Sequence, residues 1–135
     1  MAAIILAASR GDELGNLTKD QPKTMVKIQG IPILAQIVDA YNAVGIKNIT
    51  VVRGYKKESV SLPNLTYIDN DDFEETGELV SLNKVLQSKN EPFQDTIISY
   101  GDVLFNKYIP QTMFQETEDF VIFVDSEHDN QLSSI

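Results

Sequence analysis

Three groups of residues in this chain have types and spacings that could handle phosphate chemistry. The first is Leu6-Ala7-Ala8-Ser9-Arg10-Gly11, followed by Lys19 and then Pro22-Lys23. Small side chains let backbone come close to a ligand, and successive N–H groups in a turn form a concavity that suits an anion. Arg10 and Lys23 would add positive charge. The second group is Gly101-Asp102. A carboxylate after a glycine, at the end of an apolar run, suits Mg²⁺, which takes one or two protein carboxylates and completes its shell with water and phosphate oxygens. The third is Thr76-Gly77-Glu78 with Ser81, small polar groups around a glycine that would let a flat ring approach. Thr76 and Glu78 also have a plainer use, as cap and first turn of a helix. The spacing fits neither a Walker A loop nor a dinucleotide fingerprint.

These groups need elements to bring them together. Ala2 to Ala8 reads as a buried strand, and Met25-Val26-Lys27-Ile28 as a short extended piece. Ile33, Leu34, Ile37, Val38, Tyr41 and Val44 recur at helical spacing, with Pro32 before them and Gly45 after them. Ile49–Val52 is a second strand, and Arg53-Gly54-Tyr55-Lys56-Lys57 stands where a ligand loop would follow it. Leu65–Ile68 is a third strand, residues 79–87 a helix, Thr96–Tyr100 a fourth strand and residues 110–116 another helix. Phe120–Val124 reads as a fifth strand, and residues 126–135 form a polar tail carrying the one histidine, His128, read as exposed. Alternating strands and helices predict an α/β fold with a mostly parallel sheet and helices on both faces. In such a sheet the loops after successive strands meet along one edge, which would gather Arg10, Gly11, Lys23, Thr76, Gly77 and Asp102.

Composition narrows the function classes. The net charge is −9, yet residues 1–60 carry eight basic against five acidic side chains, while residues 61–135 carry three against fifteen. An acidic chain makes a poor nucleic-acid binder, and basic residues clustered around the glycine loop suit a small polyanion. With no cysteine there is no disulfide or thiolate metal site, which fits a cytoplasmic protein. The apolar run at the N-terminus is too short for a membrane span. One domain over residues 1–125 followed by the tail is the expected organisation.

The glycine loop with its downstream Pro-Lys resembles the opening of nucleotidyltransferases with a Rossmann-like fold. Ala-Ala-Ser-Arg-Gly-Asp-Glu-Leu-Gly followed by Leu-Thr-Lys-Asp-x-Pro-Lys is most similar to the nucleotidyltransferase domain associated with phosphoenolpyruvate phosphomutase in phosphonate biosynthesis, a relative of phosphocholine and aminoethylphosphonate cytidylyltransferases. Ser9 replaces the usual glycine, and Glu13 stands where a basic residue is usual. The resemblance implies a three-layer sandwich of the nucleotide-diphospho-sugar transferase type, with CTP or another nucleoside triphosphate as donor and a small phosphonate or phosphate as acceptor. It further implies Mg²⁺ on Asp102, Lys23 and Arg10 as catalytic cations, and nucleotide contacts from Leu6, Ala7, Ala8, Ser9, Arg10, Gly11, Lys23, Thr76, Gly77, Glu78 and Ser81. The resembled domains continue beyond residue 125, so the sandwich is expected to be cut short at its C-terminal end. That leaves a nucleotide-binding module without catalysis as an alternative, and exposed apolar surface would favour a homodimer. A glycosyltransferase using Asp69-Asn70-Asp71 as a metal motif is a third reading.

Overall fold

The computed structural model describes residues 1–88, 95–116, 118, 121 and 122. Its centre is β1 (Ala2–Ala7), whose sequence AAIILA has no polar side chain and is buried on both faces. Such continuous apolarity belongs to a strand covered on both sides. β4 (Asn48–Arg53) pairs with one edge of β1 and β6 (Thr96–Tyr100) with the other, while β5 (Thr66–Asp69) lies outside β4. The order is β5-β4-β1-β6, and every pairing is parallel. The register places Ile5 beside Val51 and Ser99, and Leu6 beside Val52 and Tyr100.

Alternate residues of β1 feed two cores. Ala3, Ile5 and Ala7 face α1 (Ile33–Ala43), packing with its Ile33, Leu34, Ile37 and Tyr41. Phe105 and Met113, the latter on α3 (Tyr108–Gln115), join the same cluster. Ile4 and Ala8 face the opposite way with Val52, against Val85 of α2 (Glu78–Ser88). Each fully buried branched side chain here contributes about 1.5–3 kcal/mol. The layers are therefore helix, sheet, helix, as the alternation predicted.

One cross-layer bond is polar. The buried Tyr41 hydroxyl donates to Ser99 Oγ at 2.8 Å, joining α1 to β6, and its ring meets Phe105 edge-on at 5.2 Å. Burial pushes the Tyr41 phenol above its ordinary pKa, with the Ser99 bond acting in the other direction.

The structure revises some element boundaries. Lys23–Met25 is a single 3-10 turn, so only Lys27–Ile28 (β2) of the expected extended piece is strand, paired antiparallel with Ile31–Pro32 (β3). Gln29 and Gly30 turn this hairpin with positive φ at both positions, which is the backbone that a two-residue loop needs. Of the expected fifth strand, only Val121 and Ile122 are described, and neither is in regular structure. Phe120, Phe123, Val124 and the tail with His128 lie outside the described residues. No helix among the described residues is long and apolar enough to cross a membrane.

Candidate functional site

Because all four long strands run the same way, their carboxyl ends share one edge, and the chain leaves β1 between neighbours reached by connections on opposite sides. A crevice opens at such a switch point in open α/β sheets. It is present here as a cleft of about 670 Å³, lined by Ser9 to Glu13 after β1, Tyr55 after β4, Phe73 and Glu74 after β5, and Tyr100 to Asp102 after β6. Leu6, Ala7, Lys23, Thr24 and Glu78 complete it.

The glycine loop is locked from below. Lys23 N–H donates to the Arg10 carbonyl at 2.9 Å, and Gly101 N–H donates to the Leu6 carbonyl at 2.8 Å. Gly11 has φ +82°, and a Cβ there would stand 2.7 Å from Lys23 Cβ. Gly101 is equally constrained, since its added Cβ would lie 2.6 Å from Ala7 Cβ. Both glycines are thus required by the approach of one backbone segment to another. After the loop, Asp12–Thr18 winds as 3-10 helix broken at Gly15, and the buried Thr18 hydroxyl lies 3.2 Å from the carbonyls of both Gly11 and Gly15.

Charge in the cleft is arranged around Lys23. Its ammonium is 2.7 Å from Glu13 Oε1 and 3.2 Å from Asp102 Oδ2. The hydrogen bond to Glu13 is the main influence raising the Lys23 pKa, with Asp102 adding to it against partial burial. The same bond holds the Glu13 carboxyl below its ordinary pKa. Glu13 therefore serves as an anchor for Lys23. Arg10 lies over the Tyr55 ring at 5.2 Å, with its Nε 3.2 Å from Asp12 Oδ1 and donating to Thr18 Oγ1 at 3.4 Å. Tyr55 is itself fixed, its N–H donating to the Ala8 carbonyl and its hydroxyl to the Lys19 carbonyl.

Of the residues expected to contact nucleotide, Leu6, Ala7, Ser9, Arg10, Gly11, Lys23 and Glu78 line this cleft, as does Asp102. Ala8, Thr76, Gly77 and Ser81 line a small side recess, which shares Leu6, Ser9, Phe73 and Glu78 with it. Thr76 and Ser81 are joined by Asn70, whose fully buried amide donates to both hydroxyls at 3.0 Å. Asn70 Oδ1 in turn accepts from Asp72 N–H, and the Thr76 hydroxyl donates to the Asp72 carbonyl at 2.8 Å, so its side chain is committed to the loop rather than to capping α2. Asn70 and Phe73 were not among the expected contacts, whereas Tyr55, in the ligand loop expected after β4, does line the cleft.

The Asp-x-Asp reading does not survive the geometry. Asp69 takes a two-pronged contact from Arg53, at 2.8 and 3.2 Å, and Asp71 pairs with Lys57 at 2.7 Å. That bond holds Asp71 below its ordinary pKa and raises Lys57. Neither carboxylate lines the cleft. Arg53 and Lys57, expected in a ligand loop, are spent on these pairs.

Comparison with known proteins agrees with this arrangement. The chain is 34% identical over a 141-residue alignment to a CTP:phosphoglutamine cytidylyltransferase of Campylobacter jejuni, covering 93% of the chain and 53% of the relative. It is 30% identical over 129 residues to a UTP–glucose-1-phosphate uridylyltransferase of Haloferax volcanii, covering 88% and 50%. The chain thus spans about half the length of the curated relatives it matches. Its fold matches the CTP:phosphocholine cytidylyltransferase of Streptococcus pneumoniae with a TM-score of 0.68 at 24% identity, over 79% of the chain and 49% of that structure. The profile of the MobA-like NTP transferase domain matches residues 3–132, and the chain, with its glycine loop, Pro-Lys turn and cleft at the sheet's edge, belongs to that family.

Proposed function

We propose that the protein is a nucleotidyltransferase in which this chain holds a nucleoside triphosphate, with CTP the favoured donor and a small phosphate or phosphonate as acceptor. The observation that carries the reading is the placement of Lys23, Arg10 and the Ser9–Gly11 backbone around one cleft, facing Asp102. An acceptor oxygen would attack the α-phosphorus and expel pyrophosphate. Such a reaction asks the protein for positioning and charge neutralisation more than for covalent help.

In this scheme the Lys23 ammonium neutralises charge developing at the α-phosphate. Arg10 and the loop N–H groups hold the outer phosphates, where preorganised donors act most strongly in a site shielded from water. Tyr55 keeps Arg10 in place from beneath. Thr76 and Ser81, tied together by Asn70, would present polar edges to the base with Gly77 between them. The donor set suits Mg²⁺, since the cleft offers hard carboxylate oxygen from Asp102 beside the space for phosphate oxygens. Asp102 would hold the ion, which when bound supplies neutralisation of phosphate charge.

The cytidylyltransferase relative and the phosphocholine-related fold favour cytidine, while the uridylyltransferase keeps a uridine donor in play. A thermal-shift panel of the four ribonucleoside triphosphates with Mg²⁺, followed by a pyrophosphate-release assay with phosphate and phosphonate acceptors, tests the reading. Stabilisation by CTP above the others, with release on adding acceptor, is expected. Stabilisation without release from any acceptor would leave a binding module, and no stabilisation by any triphosphate would remove the reading altogether.

A further inference from the structure

Two carboxylates from unrelated parts of the chain converge on one cation. Glu13 comes from the 3-10 segment after β1 and Asp102 from the turn after β6, yet both have an oxygen within 3.2 Å of Lys23 Nζ. A second feature of the same cleft lacks what it needs. Thr24 is only 2% exposed, and its hydroxyl has no hydrogen-bond partner among the described residues. Thr24 lines the cleft, and its buried oxygen lies beside the turn carrying Asp102, 3.0 Å from where a Cβ on Gly101 would stand. A buried polar group without a partner is costly, and native proteins rarely keep one without a use. The third feature is a matter of charge: a carboxylate such as Glu13 repels a polyphosphate entering the cleft unless a cation lies between them.

We propose that Glu13 and Asp102 together form a two-carboxylate site for a divalent cation, with the Thr24 hydroxyl bonding to the cation's water shell, and that the Lys23 ammonium plugs this site while the cation is absent. The arriving ion takes over both carboxylates. Lys23 is thereby released towards the phosphates, so loading the metal and arming the lysine are one event. Hard divalent cations favour such a set, because they combine one or two carboxylates with water and phosphate oxygens. The proposal rests on the nucleotidyltransferase reading for the purpose of the cation, though not for its binding.

Mn²⁺ binding without nucleotide, followed by the loss of the free-ion signal in electron paramagnetic resonance, tests it on the 135-residue chain. Lys23→Met removes the competing charge and should tighten Mn²⁺ roughly five- to tenfold, the scale of one unit charge at close range in a solvated site. Glu13→Gln, at an exposed position that the fold tolerates, should weaken it by at least a similar factor, as should Asp102→Asn. Thr24→Val should weaken it by a smaller factor, with circular dichroism confirming the fold. Wild-type affinity in Glu13→Gln, or no tightening in Lys23→Met, overturns the proposal. Calorimetry with CTP and Mg²⁺ separates the two readings. Failure of CTP to bind while the Mn²⁺ pattern holds removes the triphosphate reading alone, whereas CTP binding with Mn²⁺ affinity indifferent to Glu13 removes the cation site alone.

Discussion

Gly11 shows how tightly single residues are specified in this cleft. Alanine there would have to keep φ +82° and place its Cβ 2.7 Å from Lys23 Cβ. The left-handed backbone alone costs about 1–2 kcal/mol, and relieving the clash moves the lysine. Gly11→Ala should therefore lower both the melting temperature and triphosphate affinity, read by thermal shift with and without CTP. Lys23→Met should abolish pyrophosphate release while leaving the circular dichroism spectrum unchanged. The clasp between Lys23 and Glu13 also fixes a pH window. Lys23 has a raised pKa, so its contribution to stability is complete below the ordinary lysine value of 10.5 and is lost as pH climbs through the raised one. Glu13 has a lowered pKa, so its contribution is complete above 4.5 and is lost as pH falls through the lowered one. Between those limits the pair stays ionised, and the difference in melting temperature between wild type and Glu13→Gln should stay flat from about pH 6 to pH 9. That Lys23, Arg10 and Asp102 meet in one cleft was legible from sequence because their neighbours, a glycine loop, a Pro-Lys and a Gly-Asp, carry the signal. Thr24, Thr18 and Asn70 were not, because what distinguishes a buried polar side chain is its partner, and partners are set by the fold.

At the scale of elements, the cleft is held by joints rather than by helices. Asn70 directly follows β5 and clamps the loop that leads into α2, with its backbone N–H on the Arg53 carbonyl at 2.7 Å. Asn70→Ala leaves two hydroxyls short of a partner and should cost about 1–3 kcal/mol, with increased hydrogen exchange confined to residues 70–81. Gly101→Ala would drive the end of β6 against Ala7, and overpacking of this kind costs about 1–3 kcal/mol. A chemical denaturation midpoint measures both. Strands and long helices were readable from apolar periodicity to within a residue or two, as with α1 and β6. The segment from Lys23 to Pro32 was not: its 3-10 turn and two-residue hairpin are too short to leave a period, and the hairpin is fixed by Gln29 and Gly30 holding positive φ.

For the molecule as a whole, the sheet order β5-β4-β1-β6 puts the cleft where β1 meets β6; alternation of strands with helices foresaw the parallel sheet and its two helical layers, though not the order of the strands. Coverage is uneven, however. Ile98 and Tyr100 share the face of Ile4 and Leu6, which α2 covers over β1 and β4, yet they remain about half exposed at 49% and 52%. Apolar surface of this kind favours association. The chain is expected to dimerise with concentration in light scattering, and Ile98→Lys with Tyr100→Lys should hold it monomeric. The burial of Tyr41 between α1 and β6 has a practical consequence of another kind. The sequence contains no tryptophan, so its near-ultraviolet signal comes mainly from five tyrosines. Among these, burial between α1 and the sheet pushes the Tyr41 phenol above its ordinary pKa while α1 and β6 stay together. Its phenolate band should rise sharply as they part under alkali, giving an internal optical gauge of the sheet's opening that Tyr41→Phe would erase.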